Sequence, residues 1–253
     1  MDSLYIIIPA YNEAENIGEI IKQWYPIILR HNADGNSRLV ILDDGSKDNT
    51  LELVKREVAK KEFLEVITRE NSGHGATIYF GYQYAIESNA DFIFQTDSDG
   101  QTLAAEFESF WNKRYDDDVI IGDRSDRQDG FMRKVVSFCL RLLVETVFKV
   151  KIKDTNTPYR LMSRQALQTA IAYIPKEYSL TNVGLTAVFA SMAAGRVGEK
   201  NRINLSFKPI TFKPRQAGVN SINIPKILKM GIKAVGDLTD IKKKLQDDGQ
   251  GES

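Results

Sequence analysis

The chain has 253 residues, of which 42% are hydrophobic and 27% charged. This composition is typical of a globular protein with a substantial core, and it excludes a disordered chain. The single cysteine, Cys139, excludes an intrachain disulfide and favours a reducing compartment. No basic and apolar leader opens the sequence, and no apolar run approaches the ~20 residues of a membrane span. We therefore expect a cytoplasmic chain, either free or peripheral on the cytoplasmic face of a membrane.

The charges are divided unevenly along the chain. Residues 1–130 carry a net charge of −12 and residues 131–236 a net charge of +14, although the whole chain is neutral. This asymmetry indicates either two surfaces with different partners or a chance arrangement of solvated helix faces. No nucleic acid partner is expected, and the oligomeric state is not indicated.

Alternating apolar runs and helical periodicities predict four strand–helix units. A wholly apolar run at 4–8 ends at Pro9 and predicts a strand buried on both faces. Asn12 and Glu15 have the spacing of a capping pair for the helix that follows. Further strands are predicted at 39–42, 64–67, 92–95 and 119–121, and helices at 51–58 and 76–87. The alternation predicts an α/β fold with a doubly wound, mainly parallel sheet flanked by helices.

A polar cluster follows each of the first four predicted strands. The clusters occupy residues 9–13, 43–46, 69–75 and 97–101. Each one alone is also an ordinary turn. Because the carboxyl ends of parallel strands meet at one edge, where open α/β sheets bind ligands, the four together predict a functional site.

The acidic residues of these clusters limit the kinds of ligand that the site can bind. Asp43, Asp44, Asp97 and Asp99 would repel a bare phosphate but suit a nucleoside with a diphosphate bridged by Mg²⁺ or Mn²⁺. Arg69 and the amides around Gly73 and Gly75 are predicted to face the remaining anionic groups, while His74 alone is interpreted as structural.

Three of these motifs together resemble those of glycosyltransferase family 2, an inverting family of GT-A fold. They are Pro-Ala-Tyr-Asn-Glu at 9–13, Asp-Asp-Gly-Ser at 43–46 and the Asp97-x-Asp99 box. Within that family the chain looks most like dolichyl- and polyprenyl-phosphate sugar transferases. The resemblance implies a domain over 1–225, with a nucleotide-sugar-binding half at 1–122 and an acceptor half at 123–225, followed by a helix and polar tail at 226–253.

The resemblance also implies roles for individual residues. The expected donor-binding residues are Pro9, Tyr11, Glu13, Asp43, Asp44, Arg69, Gly75, Asp97 and Ser98. The expected metal ligands are Asp97, Asp99 and Gln101. The expected acceptor-binding residues are Arg124, Arg160, Arg215 and Ser221, and the expected catalytic residues are Asp99, Arg124 and Arg215. Two matches are imperfect, because Asp123 and Pro158 replace the family's usual Ser and Gly.

The acceptor is inferred from the absence of an acidic pair that could act as a general base. Between residues 161 and 198 the one acid is Glu177, whereas relatives that glycosylate hydroxyl groups carry an acidic pair there. A hydroxyl nucleophile needs a general base, and an anionic lipid phosphate does not. We therefore expect a polyprenyl-type lipid phosphate as acceptor. The alternative is a saccharide hydroxyl of a cell-surface polysaccharide, with the base elsewhere in the chain.

Two amphipathic helices are predicted in the second half. In the segment 131–150, basic residues and one acid form a stripe beside a broad apolar face; they are Arg133, Lys134, Arg141, Glu145 and Lys149. Such a helix suits either a membrane interface or packing on the sheet. Cys139 lies in this segment and is expected in the core. A second helix is predicted at 222–245, before a polar, disordered tail.

Three other classes of protein remain as alternatives. A haloacid-dehalogenase-like phosphatase is disfavoured because Gln101 follows Gly100 where a Thr is required, and because the motif follows the fourth strand. A dinucleotide-dependent oxidoreductase would need a glycine-rich first turn. A non-catalytic nucleotide-sugar-binding protein would share the same motifs.

Overall fold

The computed structural model describes residues 2–124, 131–213 and 224–250, and the side chains of 2–124, 135–213 and 234–247. The strands are β1 (Leu4–Ala10), β2 (Arg38–Asp43), β3 (Leu64–Thr68), β4 (Phe92–Gln95), β5 (Val119–Asp123), β6 (Arg160–Ser163) and β7 (Leu205–Pro209). The helices are α1 (Ile17–Arg30), α2 (Thr50–Val58), α3 (His74–Glu87), α4 (Phe107–Trp111), α5 (Phe131–Phe148), α6 (Arg164–Ile171), α7 (Thr181–Ala193) and α8 (Ile224–Gln250). Single 3₁₀ turns cover Ala104–Glu106 and Glu199–Asn201.

The strands form one sheet in the order β3-β2-β1-β4-β6-β5-β7. Parallel pairing joins β3, β2, β1 and β4, and also joins β5 to β7. β6 pairs antiparallel with both β4 and β5. The predicted α/β class with a mainly parallel sheet is confirmed, and β6 is the one reversed strand in the described part of the chain. Its first residue, Arg160, therefore lies beside the carboxyl end of β4 and the middle of β5.

Two apolar layers cover the faces of the sheet. One contains α1 and α4 with an aromatic cluster around Trp24 and Phe94, whose ring centroids lie 5.3 Å apart. The other contains α3, α5, α6, α7 and α8. The apolar face of α8, including Leu238 and Ile241, joins that second core. The C-terminal helix thus shares the core of the preceding residues.

Three local predictions were wrong. Asn12 does not cap α1, because the helix begins at Ile17; Asn12 has φ 54°, and its side chain accepts a hydrogen bond from the Lys47 amide at 2.8 Å. Cys139 is exposed rather than in the core. The second amphipathic helix does not end near 245, since α8 continues to Gln250. Among the described residues, no helix combines the length and apolar character that crossing a bilayer requires.

The helix α5 packs on the core and also exposes apolar side chains. Val144 and Phe148 are buried in the core layer that α5 shares with α7 and α8. Val135, Phe138 and Leu142, at helical spacing, face outward, and Phe138 and Leu142 are 54% and 52% exposed. One side of α5 therefore packs within the protein, and the membrane interface stays a prediction for the other.

Candidate functional site

A cavity of about 360 Å³ lies at the carboxyl ends of β1, β2 and β4. Its lining residues are Pro9, Ala10, Tyr11, Glu13, Asp44, Asn71, Gly73, His74, Thr77, Asp97, Ser98 and Asp99. All four polar clusters predicted from the sequence contribute to this lining. The convergence follows from the parallel pairing, which brings the turns after these strands to the same edge.

The Asp97–Asp99 segment is tied to the rest of the edge through Ser98. The Ser98 hydroxyl donates to the Pro9 carbonyl at 2.8 Å, and Asp99 Oδ1 accepts from the Gln101 amide at 3.1 Å. Asp97 Oδ1 is shielded from solvent and has no hydrogen-bond partner among the described residues; His74 Nε2 lies 3.7 Å away. A buried acceptor without a donor is costly unless a ligand satisfies it.

The adjacent acids Asp43 and Asp44 differ in their surroundings. Asp43 is buried under the edge, where it accepts from the Thr68 hydroxyl at 2.8 Å and the Ser46 amide at 3.2 Å. Asp44 lines the cavity and accepts from the amides of Ser72 and Gly73 at 2.8 and 3.0 Å. Asp44 thus shapes the loop before α3 and borders the cavity, whereas Asp43 holds two strand ends together.

The turn after β1 forms another wall. Tyr11 is 41% exposed at the rim, and Glu13 is buried. The Glu13 amide donates to the Thr50 hydroxyl at 2.8 Å, and its carboxylate accepts from Asn16 Nδ2 at 2.6 Å. Pro9, Tyr11 and Glu13 all border the cavity, as predicted for residues around a nucleoside.

Three polar cavity residues had no predicted role in ligand binding: Asn71, His74 and Thr77. Asn71 donates to the Asp44 carbonyl at 2.9 Å. The Thr77 hydroxyl oxygen is buried and has no hydrogen-bond partner among the described residues. Thr77 lies one helical turn after Gly73 and therefore on the same side of α3, a spacing that could have identified it.

Arg69 and Gly75 do not line the cavity. The Arg69 guanidinium lies over the Phe80 ring, 4.2 Å from its centroid. Gly75 packs against the backbone of Tyr178 and Ser179, and a β carbon there would lie 2.2 Å from the Tyr178 carbonyl oxygen. Their positions favour structural roles over the predicted donor contacts.

The predicted metal ligands divide into two groups. Asp97 and Asp99 present carboxylate oxygens, which Mg²⁺ and Mn²⁺ prefer, and the unpartnered Asp97 oxygen fits such an ion. The Gln101 side chain instead donates from Nε2 to the Lys213 carbonyl at 2.8 Å. No cluster of three acidic, imidazole or thiol ligands occurs in the described part of the chain, so a metal here would need phosphate or water oxygens as further ligands.

Arg124 is already paired within the protein. Its guanidinium makes a bidentate ion pair with Asp154 at 2.7 and 2.9 Å, and both side chains are nearly buried. Burial raises the pKa of the Asp154 carboxyl, but the Arg124 hydrogen bonds and charge outweigh it and hold that pKa below its usual range. The Arg124 guanidinium also lies 5.0 Å from the Phe212 ring centroid. The predicted acceptor contact would have to compete with Asp154.

Arg160 is placed differently from its predicted role in acceptor binding. It is 0% exposed, and its guanidinium donates to the backbone carbonyls of Thr157 and Asn182. A guanidinium enclosed in this way cannot contact an acceptor phosphate at the surface. The motif comparison could not show that this side chain is enclosed between the loop before β6 and α7. Arg215 and Ser221 lie outside the described residues, as do the side chains of Arg133 and Lys134.

The fold is that of the GT-A glycosyltransferases. A glucosyl-3-phosphoglycerate synthase from Mycobacterium tuberculosis, in complex with Mn²⁺, UDP and phosphoglyceric acid, superimposes with a TM-score of 0.66 at 14% identity, covering 95% of this chain and 78% of that chain. TarS residues 1–349 of S. aureus, in complex with UDP-GlcNAc, gives a TM-score of 0.59 at 16% identity, covering 96% and 70%. Residues 5–170 match glycosyl transferase family 2, and the chain belongs to this family.

Characterised relatives are similar over most of the same region. A dolichyl-phosphate beta-glucosyltransferase from Trichomonas vaginalis is 26% identical over 63% of this chain and 51% of its own length. A UDP-N-acetylglucosamine–dolichyl-phosphate N-acetylglucosaminyltransferase from Methanococcus voltae is 25% identical over 82% of this chain and 84% of its own length. This chain spans about half the length of several of the curated relatives that it matches.

Proposed function

We propose that this protein transfers a sugar from a nucleoside diphosphate sugar to a polyprenyl-type lipid phosphate, with inversion at the sugar carbon. The observation that carries the donor half of the proposal is the cavity at the sheet edge, where Asp97 Oδ1 and the Thr77 hydroxyl lack partners among the described residues. The names of the family 2 relatives supply the acceptor class.

The donor is assigned from the chemistry of the cavity walls. Base and ribose carry hydrogen-bond donors, which match the acidic side chains of Glu13 and Asp44. Asp97 and Asp99 would hold Mg²⁺ or Mn²⁺, which supplies positive charge to the diphosphate when bound. In the transfer step, a phosphate oxygen of the acceptor bonds to the sugar carbon, and the bond to the diphosphate breaks with its electron pair on the departing oxygen.

The lipid phosphate is assigned because it needs no general base. It is already anionic near pH 7, whereas a sugar hydroxyl must lose a proton during attack. Glu177, the one acid between residues 161 and 198, is exposed. Glu177→Gln should therefore leave transfer to lipid phosphate within about twofold of the unchanged protein, as for other surface substitutions. A loss comparable to that of an active-site acid would favour a hydroxyl acceptor with Glu177 as base.

We assign the outward face of α5 to contact with an anionic bilayer. Phe138 and Leu142 are exposed, and the Arg141 guanidinium lies 5.5 Å from the Phe138 ring centroid. Apolar side chains flanked by basic ones suit a membrane interface, and each basic residue adds about 1 kcal/mol near anionic lipid. Leu142→Ser should weaken binding to vesicles containing phosphatidylserine. Leu29→Ser is the matched control. Leu29 lies on α1 and is 54% exposed, close to the 52% exposure of Leu142.

The direct experiment combines the protein with UDP- and GDP-sugars, Mn²⁺ or Mg²⁺, and either polyprenyl phosphate in vesicles or soluble saccharides. We expect transfer to the lipid phosphate, abolished by EDTA. Arg215→Ala should reduce transfer strongly and vesicle binding little, while charge reversal at Arg133 and Lys134 should do the opposite. Transfer to saccharides alone, with no vesicle binding, would contradict the acceptor and the membrane assignment.

A further inference from the structure

Arg160 is a fully buried cation at the edge that carries the donor cavity. It is the first residue of β6, where it pairs with Gln95 of β4 and Ile121 of β5. This position lies beside the carboxyl end of β4 and the middle of β5. Gln95 precedes Asp97 by two residues, so Arg160 pairs with the strand that leads directly into the Asp97–Asp99 segment.

The hydrogen bonds of Arg160 go to neutral groups. Nε and Nη2 donate to the Thr157 carbonyl at 3.2 and 2.6 Å, and Nη1 donates to the Asn182 carbonyl at 3.3 Å. In the part of the chain that the structure describes, no carboxylate makes an ion pair with this guanidinium. A guanidinium stays charged even when buried, so its charge must be balanced over a longer distance.

Burial lowers the pKa of Arg160, and among the groups that oppose this shift the carboxylates are those of Asp154 and Asp97. Asp154 is already engaged by Arg124 in a bidentate ion pair. Asp97 has a buried oxygen with no hydrogen-bond partner among the described residues. Of the two, Asp97 is therefore the carboxylate that no arginine engages, with His74 Nε2 3.7 Å from its Oδ1.

We propose that Arg160 is a positioning residue that places a fixed positive charge beneath the Asp97 side of the donor cavity, so that this acid-lined cavity accepts a diphosphate. The proposal rests on the proposed function, since it assumes a nucleoside diphosphate in the cavity. A charge in the protein interior acts through several ångströms without contact. It attracts the anionic nucleotide and repels a free divalent cation, so its removal should change the two affinities in opposite directions.

Arg160→Gln removes the charge and retains an amide that can donate to the Thr157 carbonyl. We expect UDP or GDP without metal to bind about tenfold more weakly, and Mn²⁺ alone about tenfold more tightly, as the loss of a nearby unit charge predicts. A role in packing alone would weaken both ligands together. Isothermal titration calorimetry at fixed ionic strength measures both affinities without any transfer reaction.

Asn182→Asp is a second way to cancel the positive charge, because it adds a negative charge beside Arg160. It is isosteric and places a carboxylate in the buried cluster where the Tyr82 hydroxyl lies 3.5 Å from Asn182 Oδ1. The two affinities should shift in the same directions as in Arg160→Gln, so the test survives if that variant fails to fold. The controls are Arg160→Lys, which keeps the charge, and Tyr82→Phe, which disturbs the cluster without changing its charge; both should stay within about threefold of the unchanged protein.

The outcomes separate this inference from the proposed function. Opposite shifts in Arg160→Gln and Asn182→Asp, with small changes in the two controls, would support a fixed charge acting on the cavity. Unchanged affinities, or losses of nucleotide and metal together, would overturn it. If the unchanged protein binds neither UDP nor GDP, the proposed function itself fails, and this inference fails with it.

Discussion

The two halves of the sheet edge use their charged residues in different ways. In the donor half, Asp44, Asp97 and Asp99 border a cavity, and Asp97 Oδ1 has no hydrogen-bond partner among the described residues. In the acceptor half, Arg124 is paired with Asp154, and Arg160 is enclosed by backbone carbonyls. The predicted acids Asp44, Asp97 and Asp99 therefore border a cavity, whereas the two described arginines predicted to bind the acceptor are engaged within the protein.

The largest expected effect is a loss of transfer activity when an acid that borders the cavity is replaced. Asp99→Asn conserves volume but removes a carboxylate charge, so we expect transfer to fall by at least about 100-fold with little change in the melting temperature. Steady-state transfer assays and thermal unfolding measure the two effects. Asp116→Asn, at an exposed acid outside the cavity, is the matched control. Full activity of Asp99→Asn, or in excess EDTA, would remove the metal-dependent donor site from the proposal.

A substitution in the buried Arg124–Asp154 ion pair should lower the free energy of unfolding. Asp154→Asn leaves the nearly buried Arg124 without its ion-pair partner, which should cost roughly 3 kcal/mol of unfolding free energy at pH 7. Urea unfolding measures it. Glu199→Gln, which breaks an exposed pair with Arg202, should cost less than about 1 kcal/mol. Equal losses in both variants would contradict the contrast between buried and exposed pairs.

The same pair predicts a pH dependence. The pKa of Asp154 is held below its usual range in the folded chain, so the pair stabilises the protein above the unfolded value of about 3.9 and loses this contribution as pH falls through the folded value. The stability difference between the unchanged protein and Asp154→Asn should therefore be full near pH 7 and shrink below about pH 4. A difference that grows on acidification would exclude the ion pair as its source.

The smallest effect is expected at Asp44, which both holds the loop before α3 and borders the cavity. Asp44→Ala removes the acceptor for two loop amides and a predicted nucleoside contact, both present before and during transfer. Donor affinity should fall about tenfold while kcat changes less than about threefold, the pattern of lost uniform binding. Equilibrium binding of UDP and GDP, compared with initial rates, separates the two. Unchanged affinity with lost turnover would assign Asp44 to the chemical step.

The sequence predicted the first four strands because each contains a short, mainly apolar run, which in β1, β2 and β4 is buried. It also predicted the site edge, since turns after parallel strands must meet there. It did not predict β6, a four-residue strand without a distinctive pattern. Arg160 was assigned to the acceptor by its resemblance to a family motif, which does not reveal that the fold encloses its guanidinium. Cys139 was misplaced for a related reason, because an apolar helix segment does not reveal which of its faces remains exposed.

The contact at Gly75 sets the spacing between α3 and the segment that leads into α7. The backbone of Gly75 touches the backbone of Tyr178 and Ser179, and the Thr181 hydroxyl donates to the Gly75 carbonyl at 2.9 Å. With no side chain between them, the two segments cannot move closer, and separating them breaks that hydrogen bond. Any larger residue at position 75 would therefore push the start of α3, and with it the cavity wall formed by Gly73, His74 and Thr77, away from α7.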